Sequence, residues 1–327
     1  MKYTQEDVND IVKITKKYEA TENGYPLMLF VTNFVMLFVC IHLLNIFKKT
    51  NYIIPIILLT SLIMLRNFMV FHDLGHGSFF PSDEREKKTT GINKTLCDVF
   101  DCLYYYPGKD WMKTHNAHHK AHGNIGEYDE ARTLISSDDY EKLPYIMRKT
   151  YDVIRHPLIF YILAPLYTFV IARILNFNPI YLAKFGILLY IVKYFFNIKT
   201  VILLMISYHI GSSMGIILFH FQHAMNEPSW FKHKTDNDKH NSELNGSSVL
   251  KIPGFLKPFT NGIEYHNVHH INPGVPLYNI QKCYEELREK KMLRNHEYSM
   301  KEMFDALSHT LYDSKRDKYI YHYGIYN

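Results

Sequence analysis

Long apolar runs, separated by strongly polar regions, constrain this 327-residue chain more than any other feature. Links of only a few residues join the first two runs and the last two, as in transmembrane hairpins. Most of the runs have about the 20 residues that an α-helix needs to cross a bilayer. The runs cover residues 26–47, 52–71, 157–175, 179–196 and 200–221. The pattern therefore predicts an all-α integral membrane protein.

The run at 157–175 differs from the others because it contains Pro165 and is mixed and aromatic in composition. We expect it to lie in the membrane interface, which leaves four spanning helices in two hairpins. Residues 1–327 then form a single domain, in which the polar regions 72–156 and 222–327 share one face with the N-terminus. Lysines near the N-terminus mark that face as cytoplasmic by the positive-inside rule. These are Lys2, Lys13, Lys16 and Lys17.

The net charge of +5 is not concentrated in a block of lysine and arginine. A basic chain can bind nucleic acid or an anionic membrane surface. The apolar runs favour the membrane, and no nucleic-acid partner is expected.

Eight of the nineteen histidines fall in three short motifs. The first is an HxxxH motif at 72–76, and two HxxHH motifs follow at 115–119 and 266–270. Residues three and four positions apart on a helix share a face, so each motif presents its imidazoles together. The eight are His72, His76, His115, His118, His119, His266, His269 and His270. Eight convergent imidazoles are too many for one metal ion, and the motifs therefore predict a site for two.

The identity of the metal follows from the setting of the motifs. Imidazole ligands suit zinc, copper, iron and nickel alike. Structural zinc often takes cysteine ligands, and the four cysteines of this chain lie outside the motifs. The first motif directly follows an apolar run, so a lipid substrate is expected. Two irons can activate O2 for attack on an unactivated C–H bond. The predicted fold is thus four transmembrane helices, interfacial helices and a cytoplasmic helical cap that carries a diiron site.

Other polar residues near the motifs have roles that the sequence alone leaves open. His220 and His223 both end the last apolar run, and either can supply a ninth imidazole. His122 lies three residues beyond the second motif, and we predict that it is not a ligand. Asp73 can orient a ligand histidine or can be a helix-terminal charge. Glu264 can also orient a ligand, although a position facing solvent is the expectation.

The motifs and their surroundings resemble those of the membrane fatty acid desaturase family, most closely its acyl-lipid delta-12 and omega-type branch. The similarity covers about residues 25–290 and includes the Ser-Phe-Phe sequence after the first motif and the Gly-Asn after the second. It continues through the Arg-His-Pro segment, the Gln-His pair at 222–223 and the stretch from Gly246 to Cys283. Leu74 stands where the family usually has cysteine, at a position that is not a ligand.

The resemblance implies a non-haem diiron enzyme that uses O2 as co-substrate to insert a double bond into a fatty-acyl chain. The two iron ions, which cycle between Fe2+ and Fe3+, would be held by the eight motif histidines and by His223 from the Gln-His pair. No catalytic residues separate from these ligands are implied. The resemblance to the acyl-lipid delta-12 and omega-type branch implies a delta-12 or omega-6 type reaction on a lipid-linked, monounsaturated acyl chain.

The resemblance also implies a separate electron donor of the cytochrome b5 or ferredoxin type. The location would be the endoplasmic reticulum in a eukaryote or the cytoplasmic membrane in a bacterium. An acyl or carotenoid hydroxylase or ketolase of the same superfamily shares the histidine layout. A histidine-rich metal-binding transport protein is the alternative from another class, but its site would lie near the bilayer midplane rather than outside the apolar runs.

Overall fold

The computed structural model describes residues 2–19, 24–81, 91–104, 106–124, 134–175, 178–225, 235–313, 315–316 and 318–321. Parts of the two predicted cytoplasmic regions, at 82–90, 125–133, 226–234 and 322–327, lie outside this description. The helices are α1 (Gln5–Lys16), α2 (Gly24–Phe47), α3 (Ile53–His76), α4 (Ile92–Tyr104), α5 (Gly108–Ala121), α6 (Ser137–Lys142), α7 (Tyr145–Arg155), α8 (Pro157–Leu166), α9 (Ala172–Leu175), α10 (Pro179–Phe195), α11 (Ile198–His223), α12 (Asp236–Gly246), α13 (Lys257–Thr260), α14 (His266–Ile271), α15 (Leu277–Glu289) and α16 (Met300–Ala306). A π-helical turn, Tyr167–Ile171, joins α8 to α9.

Short strands supplement this predominantly helical fold. They are β1 (Ile135–Ser136), β2 (Val249–Leu250), β3 (Glu297–Tyr298), β4 (Leu311–Asp313) and β5 (Lys318–Ile320). The central strand β4 pairs in parallel with β1 and antiparallel with β5, while β2 pairs in parallel with β3. Each strand has only two or three residues, so the predicted all-α class is confirmed.

Helices α2, α3, α10 and α11 form a bundle in which α3 packs against both α2 and α11. At one end of the bundle, Asn45 of α2 accepts hydrogen bonds from Asn197 at 2.7 Å and Thr200 at 3.2 Å, where α11 begins. At the other end, the ring of Tyr25 at the start of α2 lies 5.3 Å from that of Tyr278 in α15. Helices α3 and α11 therefore run in the same direction, and their C-terminal ends meet at the end of the bundle where α2 begins.

Three helices within the described residues, α2, α3 and α11, are long and apolar enough to cross a membrane. A fourth is counted if α7 and the helix that begins at Pro157, which meet at 87°, form one broken span. Helix α10 has 17 residues. At 1.5 Å per residue it is about 25 Å long, compared with roughly 30 Å for the hydrocarbon core of a bilayer.

The close contact between α3 and α11 depends on Gly211. A Cβ atom at this position would lie 2.8 Å from the backbone oxygen of Ser61. We expect Gly211→Ala to push the two helices apart and to lower the free energy of unfolding by about 1–3 kcal/mol. Thermal unfolding in detergent measures this loss. Gly186→Ala is the matched control because its Cβ meets nothing within 4 Å, and equal stability of the two variants would contradict the prediction.

The N-terminal helix covers the third histidine motif. Ile11 of α1, Val268 of α14 and Leu287 of α15 belong to one buried cluster. The Asn272 amide group, just after α14, donates to Thr15 at 2.9 Å. Because α14 has only six residues, its geometry depends on these tertiary contacts rather than on its own helical hydrogen bonds.

Candidate metal centre

The histidines of the three motifs lie on three different helices. The first motif forms the last turn of α3, which therefore extends beyond residue 71, the predicted end of this span. Gly77 ends this helix in the left-handed conformation, with φ of 74°, and the chain turns away directly after His76. The second motif lies on α5 and the third forms most of α14. His223 is the last residue of α11.

One group of imidazoles contains histidines from all three motifs. Ligand atoms of His72, His76, His115 and His269 all lie within 4.8 Å of one another. The Nε2 atom of His115 is 3.1 Å from the Nε2 atoms of both His72 and His119. The Nε2 atom of His119 is also 3.1 Å from that of His269. These five rings form group 1.

A second group lies beside the first. Ligand atoms of His118, His122, His223 and His270 lie within 4.8 Å of one another. The Nε2 atom of His223 is 3.2 Å from that of His118 and 3.0 Å from that of His266. The Nε2 atom of His266 is 3.1 Å from that of His270. These five rings form group 2, which includes His122, a residue predicted from the sequence not to be a ligand.

The spacing of these nitrogens fits metal ligands. Two nitrogens bound at right angles to one ion, each about 2.1 Å from it, lie about 3.0 Å apart. The observed Nε2–Nε2 distances of 3.0–3.2 Å are close to this value. Within the described residues, His76 Nε2 is buried without a hydrogen-bond partner, which costs about 1–3 kcal/mol if nothing binds there. The donor set therefore fits two ions of a metal that accepts imidazole ligands.

Burial also keeps these rings in the protonation state that a metal requires. Removal from water lowers the pKa values of group members on α5 and α14 well below the ordinary range, and the neighbouring histidines lower them further. The residues concerned are His115, His119, His266, His269 and His270. Neutral imidazoles are the form that binds a cation, so the rings are ready to accept one.

Asp73 and Trp111 orient two rings of group 1. One carboxylate oxygen of Asp73 accepts from Nδ1 of His72 at 3.1 Å, and the other accepts from the backbone N–H of Leu277 at 2.7 Å. With its proton on Nδ1, His72 presents a bare Nε2 to the group, an assignment that rests on its acceptor partner. The indole of Trp111 stacks on His115, with centroids 4.6 Å apart. Of the two roles left open for Asp73, the structure favours that of orienting a ligand.

The structure also determines the surroundings of His220 and Glu264, which the sequence alone left open. The ring N–H of His220 donates to the backbone oxygen of Ala306 at 2.9 Å, whereas His223 enters group 2. Glu264 is only 1% exposed, so the expectation that it faces solvent is wrong. Its carboxylate accepts a hydrogen bond from Thr260 at 2.7 Å, and burial raises its pKa.

A largely apolar cavity of about 540 Å³ leads to both groups. This volume lies within the range of roughly 300–1,000 Å³ that is typical of small-molecule sites. Its walls come mainly from α3, α5, α11 and the segment from α8 to α9, and they include Arg155. The histidines that reach the cavity are His72 and His115 of group 1 and His266 of group 2.

The structure combines helices long and apolar enough to cross a membrane with two groups of imidazoles, at one end of the bundle, that can hold metal ions. The sequence profile of the fatty acid desaturase family matches residues 48–303. The chain belongs to this family and is an enzyme, as the resemblance predicted.

Individual relatives agree with this assignment. A fatty acid desaturase of Bacillus subtilis is 26% identical over 274 residues, which are 79% of this chain and 74% of the relative. An sn-1 oleoyl-lipid 12-desaturase of Picosynechococcus is 20% identical over 72% of this chain and 69% of its own length. An sn-1 acyl-lipid omega-3 desaturase (ferredoxin) of Synechocystis is 21% identical over 68% of this chain and 63% of the relative.

Proposed function

We propose that this enzyme holds two iron ions and uses O2 to insert a second double bond into a monounsaturated, lipid-linked acyl chain. The observation that carries the proposal is the convergence of two imidazole groups at one apolar cavity. An acyl chain fits such a cavity chemically, and a C–H bond in its middle has no acidic or electrophilic group on which side chains alone can act.

The residues that would hold the irons are the nine histidines predicted from the sequence. Group 1 supplies His72, His76, His115, His119 and His269 to one ion. Group 2 supplies His118, His223, His266 and His270 to the other. When bound, the irons would supply the activation of O2 that the protein's own side chains cannot provide.

The overall reaction balances with an external source of two electrons. Two adjacent CH2 groups each lose one hydrogen, O2 is reduced to two water molecules, two molecules of a one-electron donor supply two electrons, and solvent supplies two protons. A ferredoxin or a cytochrome b5 is the proposed donor, and the name of the Synechocystis relative specifies ferredoxin for that protein.

The chain's own residues bind and position the substrate. Apolar walls built from residues such as Phe68 and Ile216 bind the acyl chain and exclude water from the reacting carbons. Arg155 lies in the cavity wall and is placed to bind an anionic group of the lipid. An existing cis double bond reduces the conformational entropy lost when the chain is ordered, which favours a monounsaturated substrate.

Feeding experiments test the proposed substrate. Cells that make no unsaturated fatty acid of their own would express the protein and receive oleate or palmitate separately. We expect a new dienoic acid from oleate, identified by gas chromatography with mass spectrometry to place the bonds. Cells expressing His119→Ala are the control. A monounsaturated product from palmitate without any diene from oleate, or a hydroxylated product instead of a diene, would contradict the proposal.

We also propose that α2, α3, α10 and α11 cross the membrane and that α8 and α9 lie in its interface. Because α3 and α11 end at the same side, an odd number of crossings must separate them. The short link from α10 to α11 favours α10 as that crossing. Tyr161 of α8 lies 5.9 Å from the ring of His220, which keeps α8 near the site end of α11. The slightly short α10 is accommodated by local bilayer thinning.

Glycosylation tags test this topology and the cytoplasmic location of the site. Acceptor tags inserted at Ser137 and at Lys315 are expected to remain unmodified in microsomes because both positions lie on the cytosolic side. A tag carried on a long spacer at Asn51, between α2 and α3, is the control and should be modified. Modification at either of the first two positions would refute the four-span arrangement.

A further inference from the structure

We propose that His122 is a tenth imidazole ligand, which completes the coordination of the ion held by group 2. This inference rests on the proposed two-iron centre and extends it to a residue outside the three motifs. The ring of His122 lies 4.3 Å from that of His270 and 5.0 Å from that of His223, between centroids. One of its nitrogens lies within 4.8 Å of the ligand atoms of His118, His223 and His270.

The two groups are unequal without His122. Group 1 takes five imidazoles from the three motifs, whereas group 2 takes only three from the motifs and one from His223. His122 is 6% exposed and adjoins the group that has fewer imidazoles. With it, each group has five imidazoles, and the two ions would have matched sets of neutral nitrogen ligands.

Two buried serines contact His122 and fix its position. The hydroxyl of Ser242 donates to the backbone oxygen of His122 at 2.9 Å, and the hydroxyl of Ser247 lies 3.3 Å from the Nε2 atom of its ring. Both serines have 0% exposure. A polar partner on the ring is what fixes the tautomer and direction of a metal-binding imidazole.

The location of His122 explains why the histidine spacing misses it. His118 and His122 are four positions apart, but α5 ends at Ala121 and His122 caps the helix with a ψ of 123°. Its direction is therefore set by the turn that follows α5 and by the serines from α12 and the residues after it. A histidine whose place depends on such contacts cannot be recognised from helical periodicity.

Iron retention tests the proposal without relying on catalysis. Wild type, His122→Ala and His122→Gln would be purified, loaded anaerobically with ⁵⁷Fe²⁺ and challenged with an iron chelator. We expect two irons in wild type, and in both variants a release of one of the two that is on the order of 10- to 100-fold faster. The Mössbauer signal of one iron should change while that of the other stays as in wild type. The glutamine variant retains a polar side chain beside Ser247 if alanine disturbs folding.

Two controls make the outcome specific. His296→Ala removes an exposed histidine that pairs with Glu302, and its iron retention should match wild type. In His122→Gly, added free imidazole should restore slow release of the second iron. Release at the wild-type rate with an unchanged spectrum in both His122 variants would overturn this inference alone. Fewer than two irons in the wild-type protein would overturn the proposed centre and this inference together.

Discussion

Replacing His119 with alanine is expected to abolish desaturation, lowering the activity by more than about 100-fold. Residues that only hydrogen-bond to metal ligands already contribute about 10- to 100-fold to activity, and loss of a ligand should cost more. His119 occupies the middle of the site. Its Nε2 atom lies 3.1 Å from those of His115 and His269, and its ring lies 4.3 Å from that of His270 in group 2. Loss of this ring would remove one of the five imidazoles of group 1 and a contact between the two groups.

The measurement is product formation per folded enzyme, with iron content determined on the same preparation. His296→Ala is the matched control, because it removes an imidazole from the surface and leaves both groups intact. Near wild-type product from His119→Ala at equal expression would show that this ring does not hold a metal.

Asp73→Ala is expected to lower both iron affinity and stability. The change removes the acceptor of the His72 ring N–H and of the Leu277 backbone N–H, and each buried donor left without a partner costs about 1–3 kcal/mol. His72 also loses the group that fixes its tautomer, which should weaken iron binding by about 10- to 100-fold. Thermal unfolding of the iron-free protein and iron competition measure the two effects separately.

Asp73→Asn distinguishes geometry from charge at the same position. Its amide keeps the shape of the carboxylate but offers only one oxygen acceptor, so one of the two N–H donors loses its partner. We expect an intermediate loss of iron affinity. Asp98→Asn is the control because Asp98 forms a partly exposed pair with Lys94, a kind of contact worth about 0–1 kcal/mol. Equal effects of the Asp73 and Asp98 substitutions would contradict an orienting role for Asp73.

Local patterns predicted the long apolar helices and the helical placement of the histidine motifs. The apolar runs at 26–47 and 200–221 correspond to α2 and α11, with boundaries shifted by a few residues. The helical spacing of the HxxHH motifs indicated that their imidazoles would converge. Both predictions depend only on residues close in sequence, because helix periodicity and bilayer thickness impose them directly.

Where the structure differs from the sequence predictions or goes beyond them, contacts between distant segments are the cause. Asp73 is paired with a backbone N–H 204 residues away, and Glu264 is buried, with a hydrogen bond from Thr260, rather than facing solvent. The choice of His223 over His220 as a member of the site required the family resemblance at the level of sequence. The structure shows its cause, because the His220 ring is held by the backbone at Ala306.

The sequence by itself determined that the chain is a helical membrane protein of the desaturase family with enough imidazoles for two metal ions. Only the tertiary structure decided how these rings divide into two groups, and that His122 joins one of them. The physical reason is that helical periodicity specifies which side chains share a face of one helix. Helices α3, α5, α11 and α14 come together through long-range packing, such as the packing of α1 against the third motif. No local sequence pattern predicts contacts of this kind.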